Sequence, residues 1–229
     1  VALASQGLPT RIDGRRFEGQ QPIGAPFGID NKEGKTMSAW IRMISDEDAD
    51  PALRDVLDLA RTPHGTVDNV MRVHSLRPNT MKGHVFLYRA ALHDEANSLP
   101  TWLQETLSSY VSILNDCPYS LANHWANARH LIGDDVRAHQ IEKALHARKP
   151  DTALAGRELA LMRYAEKLTL TPGKMAKTDV EDLRREGLDD GQILEANQII
   201  GYFNYVNRLL NGLGVTTDGD VIGYYSKDD

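Results

Sequence analysis

Cys117-Pro118-Tyr119-Ser120-Leu121-Ala122-Asn123-His124 contains the only cysteine among the 229 residues of this chain. Positions 117, 120 and 124 are spaced i, i+3, i+7 and fall on one face of a helix. A thiol, a hydroxyl and an imidazole can therefore converge. A carboxylate, Glu105, stands twelve residues before Cys117 and can join them from a neighbouring helix. Asn115-Asp116 is a possible cap, which places Cys117 in the first turn of a helix running to about Ile132, where Gly133 ends it. The positive end of the helix dipole favours a thiolate there, so the spacing predicts a lowered pKa for Cys117. An ionised Glu105 close by would oppose that shift.

Outward from this stretch the pattern is helical. Asp50-Pro51 offers a cap and a first-turn proline, followed by Leu53, Val56, Leu57 and Ala60. A second helix is expected from about Asn79 to His93, with Met81, Val85, Phe86, Tyr88 and Leu92 inward. Pro100 opens a third, carrying Trp102, Leu103, Leu107, Tyr110, Val111 and Leu114. Further helices are expected at about 135–146, 153–168, 178–186 and 190–212. Thr178 with Glu181 reads as a capping box, as does Asp189 with Gln192. The series Ile193, Ala196, Ile200, Phe203, Val206 and Leu210 reads as a buried stripe. Asn197, Asn204 and Asn211 recur every seven residues beside Asn207 and read as a polar stripe toward an interface or solvent.

Residues 1–36 differ. They are rich in Gly and Pro without a helical period, and read as an extended N-terminal arm outside the helical domain at 37–215. Residues 216–229 read as a polar, turn-rich tail. The segment Val1–Ser5 could be the remnant of a cleaved leader, but it is too short to count as a signal peptide.

Composition narrows the function. Charged residues make up 25%, hydrophobic residues 41%, and the net charge is −6. That acidic excess, without a basic run, argues against nucleic acid. No apolar window is long enough for a membrane helix. One cysteine rules out an intrachain disulfide and gives no sign of an oxidising compartment. The eight histidines show no His-x-x-x-His or Glu-x-x-His pair, so no metal site is expected. His84 is expected to face the Cys117 helix. Ser120 beside a histidine invites a hydrolase reading, but no strand-turn-helix elbow surrounds it.

The set Glu105, Cys117, Ser120 and His124 resembles the core motif of the carboxymuconolactone decarboxylase and AhpD-like alkylhydroperoxidase superfamily. That motif is Glu, eleven residues, Cys, two residues, Cys, three residues, His. The spacing agrees throughout, and Ser120 stands where the second cysteine would be. The segments 165–169, 179–184, 187–190 and 201–208 resemble the C-terminal half of its peroxidase-related branch. The resemblance spans roughly residues 37–215. It implies an all-α, AhpD-like bundle of about eight helices, assembling as a dimer, trimer or hexamer; the arm at 1–36 lies outside the resemblance and is expected to wrap a neighbour. The resemblance further implies catalytic roles for Cys117, Ser120, His124 and Glu105, a small-molecule substrate, a possible thiol reductant, no cofactor and a cytoplasmic location.

In the alkylhydroperoxidase branch the second cysteine attacks the peroxide and the first resolves it. By position, Cys117 would be the resolving residue and Ser120 would hold the attacking place. A hydroxyl has no sulfenic-acid state, so the two-thiol cycle fails with this pair. Three readings of Ser120 stay open. It is natural and Cys117 works alone, it is natural and the site does non-redox work, or it was introduced. The leading expectation is a peroxidase-related thiol enzyme acting on a hydroperoxide or other small electrophile. The alternatives are a decarboxylase-like lyase or isomerase using Glu105 and His124, and a non-catalytic ligand-binding homologue.

Overall fold

A computed structural model describes residues 37–225. The expected arm at 1–36 and the end of the tail lie outside the described residues. Nine α-helices and two 3₁₀ turns, with no strand, make up the described part. They are α1 (Pro51–Leu59), α2 (Asn69–Arg72), α3 (Pro78–Leu92), α4 (Thr101–Leu114), α5 (Pro118–Ile132), α6 (Asp135–His146), α7 (Gly156–Leu170), α8 (Lys177–Arg185) and α9 (Asp190–Leu213).

Helix α4 is the hub, packing on α5, α7 and α9. It is buried on nearly every side, polar residues included: Gln104, Glu105, Ser108, Ser109 and Ser112 lie with Leu103, Leu107, Tyr110, Val111 and Leu114. The serines tolerate this because their hydroxyls bond back one turn. Ser108, Ser109 and Ser112 donate to the carbonyls of Gln104, Glu105 and Ser108, each at 2.8 Å. Burial then leaves no hydroxyl unsatisfied, and the small side chains let α5 approach closely.

The helix ends follow local chemistry. Asp50 Oδ1 accepts from Leu53 N–H at 2.8 Å, with Pro51 following. Gly133 ends α5 at φ 67°, a left-handed turn open to glycine at little cost. Asp189 and Gln192 form the expected box on α9. Helix α8 differs from expectation. Its cap is Ala176, whose N–H donates to Asp179 Oδ2 at 2.7 Å, so the Thr178–Glu181 box does not form. Helix α7 begins later than expected because a 3₁₀ turn occupies Pro150–Thr152. Phe86, expected inward, is 55% exposed.

Two apolar clusters result. The larger gathers α4, α5, α6, α7 and α9. The smaller holds Leu53, Val56, Leu57, Val67, Met71, Met81 and Val85 from α1 to α3. Between them lies a cavity lined from both sides, by Met71 and Val85 and by Val206 and Leu210. The segment after α9 recrosses the molecule. Thr216 N–H donates to the Ser38 carbonyl, Asp220 takes Asn69 N–H and the Tyr119 hydroxyl, and Tyr224 N–H donates to Asn127. The expected tail is thus part of the wall.

Candidate functional site

Helix α4 carries Glu105, and α5 carries His124 and Asn127 across from it. The Glu105 side chain is 1% exposed, and its Oε2 lies 2.7 Å from His124 Nδ1. Asn127 Nδ2 donates to the other oxygen, Oε1, at 3.3 Å. Glu105 is thus not a solvated helix residue but a buried acceptor held on both oxygens. With Nδ1 donating to Glu105, the Nε2 of a neutral His124 carries the lone pair. Phe203 meets the imidazole edge-on, 4.6 Å between ring centres, and fixes its plane.

The motif residues do not all reach the cavity. Ser120 and His124 are on its wall; Cys117 is not. Cys117 is the residue that caps α5, one position before the first turn in which it was expected, and Pro118 follows at the first helical position. Burial pushes its thiol up to about 11, against weaker help from the Ser120 N–H and the Asn207 amide. The expected lowering does not occur, because the thiol, 2% exposed, loses more from desolvation than the dipole and donors return. Ser120 Oγ lies 2.9 Å from Ser112 Oγ. Ser112 donates to Ser120 Oγ as well as to the Ser108 carbonyl, its single hydroxyl hydrogen shared between the two acceptors. Among the described residues Ser120 makes no hydrogen bond to His124.

The cavity, about 260 Å³, has walls that sequence reading did not assemble: Tyr88, His93, Tyr119, Tyr202, Tyr224 and Asp68. Their rings pack edge-on or tilted, as in Tyr88–His93 at 4.8 Å and His93–Tyr224 at 4.8 Å. Burial holds Tyr88 and Tyr202 well above the usual phenol range, so both stay protonated. Burial likewise depresses His93, which stays neutral near pH 7. Two buried polar atoms on the wall, His93 Nε2 and Asp68 Oδ1, have no hydrogen-bond partner among the described residues. Asp68 is raised to about 6 by burial and by the neighbouring Asp220 charge. Asp220, also raised to about 6 by burial, takes the Tyr119 hydroxyl at 2.5 Å. No cluster of metal-ligating residues occurs among the described residues. None of their helices is long and apolar enough to cross a membrane.

His84 does not face α5. It lies 2.8 Å from the Tyr202 hydroxyl on α9 and 2.9 Å from His74. Nor do the α9 asparagines form a solvent stripe. Asn115 donates to Asn204 Oδ1 and Asn207 Oδ1, and Asn211 donates to the Asn115 carbonyl. Asn207 is fully buried. These amides fasten α9 to the turn between α4 and α5, next to Cys117.

An all-helical bundle with an acid–imidazole pair between its central helices defines the class, and solved structures carry the same fold. One is an AhpD-core, uncharacterised peroxidase-related protein from Ralstonia eutropha JMP134, with TM-score 0.69, 18% identity, and coverage of 81% of this chain and 95% of the other. A peroxidase-related protein from Silicibacter sp. TM1040 matches with TM-score 0.65, 24% identity, and coverage of 78% and 91%. A debrominase in complex with 2,3,4-tribromopyrrole matches with TM-score 0.63, 16% identity, and coverage of 81% and 93%. No protein-family model matches the sequence, and no curated protein matches it significantly. The chain has the AhpD-like fold.

Proposed function

We propose that the cavity is a proton-transfer site, with the Glu105–His124 pair as general acid–base on a small planar substrate. The reaction is of the lyase or isomerase kind. The observation that carries this reading is the division of the motif. His124, oriented by a buried Glu105 at 2.7 Å, is on the cavity wall, while Cys117 is behind it. His124 Nε2 takes a proton from a carbon next to a carbonyl, and Glu105 stabilises the imidazolium that forms. Tyr88, held protonated, lines the same cavity and can donate to the developing enolate oxygen. The imidazolium, whose proton exchanges with water, returns a proton at another carbon. The aromatic walls and the unpartnered Asp68 Oδ1 favour a flat ligand that donates a hydrogen bond. The pyrrole bound by the debrominase of the same fold is a ligand of that shape.

The test is deuterium uptake from D₂O into an unsaturated lactone, followed by NMR. Wild type and Cys117→Ala are expected to exchange alike. Glu105→Gln and His124→Gln are expected to lose about 100-fold or more. Exchange that survives Glu105→Gln, or that needs Cys117, sinks the proposal.

A second reading, a thiol peroxidase, is favoured by the peroxidase-related proteins that share the fold. Two things weigh against it: a hydroxyl at position 120 and a thiol at 117 pushed up to about 11 by burial.

A further inference from the structure

The hydrogen bonds around His84 form an unbroken chain whose direction can be worked out by counting protons. Thr80 Oγ1 donates to the Arg77 carbonyl at 2.8 Å. Its one hydrogen is thereby used, so the His74 Nδ1 at 3.0 Å must be the donor to Thr80 Oγ1. A neutral imidazole has one N–H, so His74 Nε2 accepts, and the His84 Nδ1 at 2.9 Å donates to it. His84 Nε2 in turn accepts, and the Tyr202 hydroxyl at 2.8 Å is its donor. Both rings are neutral: burial depresses His74, and burial with the His74 neighbour takes His84 to about 3. Every link points from Tyr202 toward Thr80.

The two ends of the chain differ. Tyr202 lines the cavity. Thr80, near the start of α3, is exposed. The two histidines between them are 7% and 3% exposed. A buried histidine pair that served packing alone would need neither a cavity at one end nor solvent at the other.

We propose that Tyr202, His84, His74 and Thr80 form a proton path between the cavity and bulk water. A proton reaching the Tyr202 oxygen releases that residue's own proton to His84 Nε2. His84 Nδ1–H passes to His74 Nε2, and His74 Nδ1–H to Thr80 Oγ1. The Thr80 hydroxyl then turns from the Arg77 carbonyl and yields its proton to water. No bond other than O–H and N–H changes, and one proton enters as one leaves. The passage reverses every link, and buried rings cannot flip freely to reset it. A proton coming back along the same path restores the starting state. The path therefore suits chemistry that lends a proton and reclaims it within one turnover. That last step rests on the acid–base reading above; the path itself does not.

The test uses ligand-free protein, so it succeeds or fails independently of the proposed reaction. Nitrogen-15 NMR of the imidazoles at pH 7 is expected to show protonated Nδ1 and bare Nε2 on both His74 and His84. Solvent exchange of the His84 Nδ1 proton is expected to slow at least tenfold in Thr80→Val and to recover in Thr80→Ser. A proton on Nε2 of either ring in the wild-type protein overturns the proposal, whatever the variants do. So does a His84 exchange rate unchanged in Thr80→Val.

Discussion

The Cys117 thiol is buried where the Ser120 N–H and the Asn207 amide alone favour its charge. Alkylation should therefore be slow at pH 8 and accelerate toward pH 11, which a rate-against-pH series with iodoacetamide reads directly. Its linkage to folding has a definite sign. The folded value is raised above the unfolded one, so stability is intact below about pH 8.5 and falls as pH climbs toward 11. Ser120→Cys would put a sulfur on the cavity wall with Cys117 behind it. Peroxide reduction with a dithiol should then rise at least tenfold, about 1.4 kcal/mol of barrier; no rise in a folded protein with two titratable thiols removes the thiol-peroxidase reading. Asp68 supplies a third case. Its raised value means stability is present below about pH 4 and diminishes as pH passes 6. Asp68→Asn should raise the melting temperature at pH 7 and leave it nearly unchanged at pH 4. At this scale the sequence spacing predicted that Glu105 and His124 converge, and they lie 2.7 Å apart. It misjudged Cys117, because a dipole argument sees the helix end and not the amount of protein stacked over it.

At the scale of elements, the ends that Pro51 and Gly133 enforce were legible, since each acts within one turn of its own position. The start of α8 was not, since Ala176 has no polar side chain to signal a cap and Asp179 reaches back to its N–H instead. The asparagines of α9 were visible as a repeat, but which surface they face was not, because their partners on Asn115 and Asp116 lie far away in the chain. Asn207→Ala should cost about 1–3 kcal/mol, the penalty for leaving a buried partner such as the Asn115 amide under-satisfied. Urea denaturation measures it. Asp189→Ala removes one cap bond from the same helix and should cost about 1 kcal/mol. A larger loss for the cap than for Asn207 would mean that the amide clamp is not what holds α9.

Across the whole molecule, the two ends of the described chain meet. Trp40 N–H donates to the Leu213 carbonyl at 2.8 Å, and a Cβ on Gly214 would lie 2.1 Å from the Trp40 ring. Gly214 also sits at φ 57°. Gly214→Ala must both strain the backbone and displace the indole, so its melting temperature should drop by about 4 °C or more. An unchanged melting temperature would show that Trp40 moves aside freely. The cavity belongs to this scale, which is why a linear reading missed it. Its walls come from α2, α3, α5, α9 and residues 221–224, and no local period links Tyr88 to Tyr224.

The crossing segment also acts as a roof. Gly223 N–H and Tyr224 N–H donate to Asn123 and Asn127, the Gly223 carbonyl meets His64 Nε2 at 3.2 Å, and the Tyr224 ring stacks on His93. If a molecule leaves past Tyr224, these bonds must break first, and its release is then limited by local unfolding of this segment. Ligands of very different affinity should then share one ceiling on their dissociation rate and differ mainly in how often they are still seated when the roof lifts. Asn127 ties that clock to the chemistry: the amide whose oxygen receives Tyr224 is the one whose nitrogen holds Glu105. A segment that lifts from Asn127 would therefore release one of the two holds on the acid while the occupant can escape.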